Sequence, residues 1–194
     1  MFLATRPTRR IIERFQAESE ALPLSYGPVG LVRGEAPGYR VDELIVPIGR
    51  GEEDFDRAKA ALAAWKHFDI GWVEPFPAAA SPEPGGVVAL AIHHFGFWSL
   101  NGCRVLYRVG DRDSGTRFGF AYGTLMNHAE AGEELFEVFM EPTGEVAYRI
   151  RAASRPRAAL TWLGYPLVRA LQARCRRDSG VAMRRATAMH GVHQ

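Results

Sequence analysis

Between Tyr122 and Glu134 the chain gathers side chains able to move a proton or hold a polar group: Tyr122, Thr124, Asn127, His128, Glu130, Glu133 and Glu134. A carboxylate beside apolar surface has its neutral form favoured, and an imidazole changes charge near neutral pH. His128 and Glu134 are therefore the candidates for acid–base catalysis. The same groups equally suit a polar anchor for a ligand held in an apolar pocket. Elsewhere the chemistry is weaker. His93 and His94 are neighbours in a strand-like run, so they point to opposite faces, and a metal site needs three or four converging ligands. We expect no metal and no cofactor. "GRGEED" has two glycines before a helix but neither a G-x-G-x-x-G nor a lysine-bearing phosphate loop, and no Gly-x-Ser-x-Gly elbow occurs. Cys103 and Cys175 read as buried, inert thiols.

The runs that flank this polar segment must position it. Strand side chains alternate, so Phe118, Phe120, Tyr122 and Thr124 share one face, as do Glu134, Phe136, Val138 and Met140. A hairpin pairing Thr124 with Glu134 would set Tyr122 opposite Phe136 and Phe120 opposite Val138. Glu134 then lies on the core side at its rim, and Glu133 faces the other way. The plainer reading of "MNHAEAG" is a capped connection: Asn127 caps, Glu130 follows at the capping spacing, Gly132 ends a single helical turn, and the acids are solvated. The sharper reading makes Tyr122, Thr124, Glu134, Phe118, Phe120, Phe136 and Tyr148 the lining of a ligand cavity with His128 at its mouth.

The rest of the chain supplies a scaffold. Its 194 residues, 47% apolar and 24% charged, fit one globular domain over 1–194. "PTRRIIERFQAESEAL" has a helical spacing, residues 23–39 are rich in Gly and Pro, and "YRVDELIVPIG" reads as a strand. "RGEEDFDRAKAALAAWKHF" is the clearest helix, with acids in its first turn and Lys66 and His67 in its last. A short strand, "DIGWVEPF", follows. Then come five strands: "VVALAIHHFGFWSL", "CRVLYRVGD", "RFGFAYGTL", "EELFEVFME" and "EVAYRIRAAS". Leu160, Leu163, Leu167, Leu171, Cys175 and Ala182 form the stripe of a long final helix. This order predicts an α+β fold: a curved antiparallel sheet, one face covered by the C-terminal helix, in the helix-grip (Bet v 1/START-like) manner. The alternative is a closed β-barrel with external helices.

The blocks "GEEDFDRAKAALAAWKHFDIGW", "CRVLYRV", "FGFAYGTLMNHAEAGEELFEV", "SRPRAALTWLGYPLVRALQ" and "RDSGVAMRRA" resemble the DUF1990 family of bacterial and plant proteins, in the same order, from about Phe2 to Ala188. The family's pattern would fall on Tyr122, Gly123, Thr124, Leu125, His128, Gly132, Glu133 and Glu134. The resemblance implies no catalytic residue.

The first functional expectation is a binding protein for a lipid-like or aromatic small molecule in a cavity between sheet and C-terminal helix. The second is a cyclase-, isomerase- or hydrolase-type enzyme that uses His128 and Glu134 in the same cavity. A third follows from charge. Eight arginines and one acid fall between Arg155 and Gln194, so this end is strongly basic and the remainder net negative. That helix offers a surface for anionic lipid. Nucleic acid is not expected as a partner, since no recognisable nucleic-acid module accompanies the charge. Two cysteines make no disulfide framework, no run is long enough to span a bilayer, and the N-terminus lacks the pattern of a secretory signal. The expected location is cytoplasmic.

Overall fold

The computed structural model describes residues 1–77, 81–110, 115–157 and 165–188. Eight strands are formed: β1 (Phe2–Leu3), β2 (Arg40–Arg50), β3 (Val73–Phe76), β4 (Val87–His94), β5 (Phe97–Val109), β6 (Arg117–Thr124), β7 (Glu130–Met140) and β8 (Glu145–Pro156). The helices are α1 (Arg9–Glu20), α2 (Gly51–Ala63) and α3 (Tyr165–Ala188). All strands belong to one antiparallel sheet in the order β2-β8-β7-β6-β5-β4-β3, with β1 paired to β5. Strands β2 and β3 lie at opposite ends and do not pair, so the sheet is open and the closed-barrel alternative falls. The expected architecture, an antiparallel sheet with a C-terminal helix against it, is the one formed.

The inner face of the sheet carries the main core. Phe120, Phe136, Tyr148 and Ile150 are wholly buried there, packed with Phe55 and Leu62 of α2 and Met183 of α3. Helix α3 covers this face through Leu171, Cys175, Met183 and Ala186. Leu167, expected on the same stripe, is instead 49% exposed, and Leu160 and Leu163 lie outside the described residues. At Gly180 the helix comes close to the sheet, where a Cβ would lie 3.2 Å from Val46 of β2.

Three local expectations need correction. Helix α2 stops at Ala63, because Trp65 adopts a left-handed backbone (φ 58°) and starts a separate 3-10 turn, Lys66–Phe68. His67 therefore enters the core rather than ending a helix. The run "VVALAIHHFGFWSL" is a hairpin, not one strand: Phe95 and Gly96 both have positive φ (51° and 79°), as a tight two-residue turn requires. Phe-Gly lacks the Asn or Asp that normally marks such a turn. Strand β5 then runs unbroken through Asn101 and Gly102. Finally, both faces of the sheet are covered. Phe15 of α1 packs on Ala89, Ala91 and Leu100, while Leu31, Val32 and Ala36 of the irregular Gly/Pro-rich segment pack on Ala121, Leu135 and Ala153.

Candidate functional site

The β6–β7 hairpin brings the sequence motif together, in a register two residues away from the expected one. Tyr122 lies opposite Glu134, Phe120 opposite Phe136 and Phe118 opposite Val138. A shift of two preserves side-chain parity, so every residue keeps its face. The connection forms no helical turn. Leu125 bridges to Leu24, the Asn127 side chain donates to Ser19 Oγ (2.7 Å), and His128 Nδ1 accepts from the Glu130 amide (3.0 Å). The Thr124 hydroxyl is taken up locally, accepting from the Gly132 amide (2.9 Å) and meeting Ser25 Oγ (2.6 Å).

On the inner face the Tyr122 hydroxyl donates to Glu134 Oε2 at 2.6 Å, the carboxylate's one hydrogen bond among the described residues. Burial pushes the Glu134 carboxyl up to about 7; the Tyr122 bond and the Arg176 charge oppose this, and Glu130 adds to it. Burial, with the charge of Glu134, pushes up the pKa of Tyr122 and of the Cys103 and Cys175 thiols, so these groups stay protonated at neutral pH. Beside Glu134 a polar seam fastens α3 to the sheet. Arg169 grips Asp42 of β2 through two bonds of 2.6 Å, and Gln172 donates to both Glu130 oxygens at 2.8 Å and to Ser154 at 3.2 Å.

His128 lies apart from this group. No hydrogen bond joins it to Glu134 among the described residues, and Arg157 donates to its carbonyl (3.4 Å). Burial lowers its imidazole to about 4, leaving it neutral at pH 7. Phe120, Phe136 and Tyr148 are packed solid in the core, Tyr148 with its hydroxyl 2.8 Å from Ser179 Oγ, whereas Phe118 is only partly buried. One pocket opens on the outer face over β5–β8, and a second lies at the ends of β2, β7 and β8 beside Arg40, Ala131, Ser154 and Arg155; neither is lined by a described residue of α3.

Two buried polar groups escaped sequence reasoning. His67 is enclosed by Phe68, Phe136, Trp65 and Phe120, with ring centroids 4.2–5.9 Å away, and neither ring nitrogen has a partner among the described residues. Burial lowers it to about 3, so it is neutral. Glu133, on the outer face, is only 2% exposed. It accepts from Tyr26 Oη (2.9 Å), the Gly30 amide (2.8 Å) and Tyr107 Oη. Gly30 reaches it with a left-handed φ of 104°, which a glycine tolerates without strain, and a side chain at Gly123 would collide with the Tyr26 hydroxyl. The glycines at 30 and 123 were the available signal, but nothing in the sequence linked them to Glu133.

An open antiparallel sheet with a long C-terminal helix against its core face is the Bet v 1/START-like fold. A hypothetical protein of Helicobacter pylori superposes with a TM-score of 0.53 at 11% identity, over 84% of this chain and 95% of that one. Norcoclaurine synthase of Thalictrum flavum, in complex with dopamine and hydroxybenzaldehyde, gives 0.50 at 7%, over 89% and 100%. These likenesses carry the fold alone. The chain belongs to the DUF1990 family, whose model (Domain of unknown function) matches residues 25–182. Among its relatives, a UPF0548 protein of Deinococcus radiodurans is 35% identical over 90% of this chain and 92% of its own length. A UPF0548 protein of Dictyostelium discoideum is 38% identical over 69% of this chain and 66% of its own length. The family therefore reaches beyond bacteria and plants.

Proposed function

We propose that this protein binds a small, mainly apolar or aromatic molecule between the inner sheet face and α3, with Glu134 receiving the ligand's polar end. The observation that carries the reading is the Glu134 carboxyl: it faces the core, holds a single hydrogen bond, and titrates near neutrality. A carboxylate offers about four acceptor sites, so acceptor capacity remains beside apolar surface. Folds of this class often hold hydrophobic ligands in this place. Because the region is filled by side chains in the absence of ligand, binding requires α3 to yield at Leu171 and Cys175, which are only partly buried. Arg169, Arg174, Arg176, Arg184 and Arg185 all make hydrogen bonds or ion pairs within the molecule, so the proposal does not extend to a membrane surface. No helix among the described residues is long and apolar enough to cross a membrane.

The test uses 2-naphthylmethylamine and 2-naphthoate, which share a ring and differ in the charge of the polar end. The amine is expected to quench tryptophan fluorescence saturably, more tightly above pH 7 than below it, and Glu134→Gln should remove that pH dependence. Absence of saturable binding by either probe, or binding indifferent to Glu134→Gln, defeats the reading. Native mass spectrometry of protein purified from its own host would reveal a retained molecule. A second reading rests on the same titration near neutrality, where a general acid or base is most effective. In that case Glu134→Gln abolishes turnover of the retained compound while binding persists.

A further inference from the structure

On the outer face a trough of about 450 Å3 opens over β5, β6, β7 and β8, a size typical of small-molecule sites. Its cationic walls are Arg33, Arg117, Arg149 and Arg151. The pairing explains the concavity. Gly119 and Ala121 of β6 stand opposite Glu137 and Leu135 of β7, and these in turn stand beside Arg149 and Arg151 of β8. Short residues at the centre are thus flanked by long ones.

The guanidinium groups are held in place before any ligand arrives. Glu137, only 1% exposed, binds Arg117 at 2.9 Å and faces Arg149 at 3.7 Å. Glu43 binds Arg149 (2.5 Å) and Arg151 (3.3 Å); burial acts to raise its carboxyl, but these two arginines hold it below the usual range. Arg33 lies over the Tyr107 ring at 3.8 Å. Four guanidiniums stand against three carboxylates, Glu43, Glu137 and the Glu133 that Tyr107 bonds, so the trough keeps an excess of positive charge although residues 1–154 as a whole are net negative. The Arg151 Nε–H is buried with no acceptor. Arg117 keeps more than half of its side chain in solvent.

The geometry points to this trough as a binding site for a phosphate monoester of a small organic molecule. A phosphate monoester carries about −1.5 to −2 charge near neutral pH and three strong acceptor oxygens, which suits a trough where guanidiniums outnumber carboxylates. Arginine forks suit its oxygens in pairs. Tyr107, Val109 and Leu135, which also line the trough, provide apolar surface for the organic part. The site lies on the face opposite Glu134 and does not depend on the inner-face proposal.

Isothermal titration with phenyl phosphate, inorganic phosphate and benzoate at constant ionic strength tests it. Phenyl phosphate is expected to bind best. Arg151→Met and Arg33→Ala should each weaken it at least about tenfold, the scale of a lost charge-assisted pair. Arg155→Ala, in a separate pocket beside Ser25 and Arg40, should leave its affinity unchanged. Arg33 is exposed, so its removal tests the site even if Arg151→Met does not fold. No saturable binding of phenyl phosphate at millimolar concentration, or an affinity unaltered by Arg33→Ala, overturns the proposal. Equal affinity for inorganic phosphate overturns the assignment of the organic part.

Discussion

Glu134 shows how one side chain inherits its chemistry from its neighbours. Its carboxyl, ordinarily near 4.5, titrates at about 7 because burial withholds water from the charged form. The folded state therefore holds this proton more tightly than the unfolded chain does. The resulting stability is fully present below pH 4.5 and is lost as the pH rises through 7. Glu134→Gln, which can still accept from Tyr122, should remove that loss. Its stability relative to the parent should climb across this interval and level off above it, by on the order of 2 kcal/mol after allowance for partial exposure. Denaturant midpoints between about pH 5 and 8 read this directly. A flat difference would mean that Glu134 is already ionised at acid pH. His128 makes the complementary point: identical in type to a catalytic base, it lies in the turn, neutral and bonded to the Glu130 amide.

At the scale of elements, the C-terminal helix and the β6–β7 hairpin carry the architecture. Alternation in "FGFAYGT" and "EELFEVFM" assigns each residue to a face, and the structure keeps those faces even though the register differs by one pleat. Helix α3 shows where its contribution is concentrated. Leu167 is outside the contact, whereas Met183, near the other end, is wholly buried against the inner face. Met183→Ala should cost about 2–5 kcal/mol, the usual penalty for an unfilled core position. An unchanged denaturant midpoint would show that the last turns of α3 do not seal the core. Leu171 and Cys175, being only partly buried, should give smaller losses, consistent with the part of the helix proposed to yield to a ligand.

For the molecule as a whole, the sheet has two covered faces. The inner one is closed by α2 and α3, and the outer one is partly roofed by α1 and the irregular segment, which leaves the arginine trough open. The Asp42–Arg169 pair is the clamp that ties α3 to the edge strand β2. Asp42→Asn should therefore increase the binding of an apolar dye such as 1-anilinonaphthalene-8-sulfonate while leaving the far-ultraviolet circular dichroism unchanged. Unaltered dye binding would mean that the clamp does not govern access to the inner face. Period-two and helical patterns were legible along the chain because they are local: they name the strands, the faces of Phe120, Phe136 and Glu134, and the amphipathic final helix. The Phe95–Gly96 turn was not, because Phe-Gly carries no Asn or Asp to mark it; nor were the end of α2 at Trp65 and the burial of His67, where packing against Phe120 and Phe136, distant in sequence, decides. The same holds for Glu133 and Glu137. Alternation placed Glu133 on the face away from the core, where water would have been the natural solvent for both. The covering segment and the arginines of β6 and β8 replaced that water with hydrogen bonds and ion pairs, a substitution that exists only once those elements have come together.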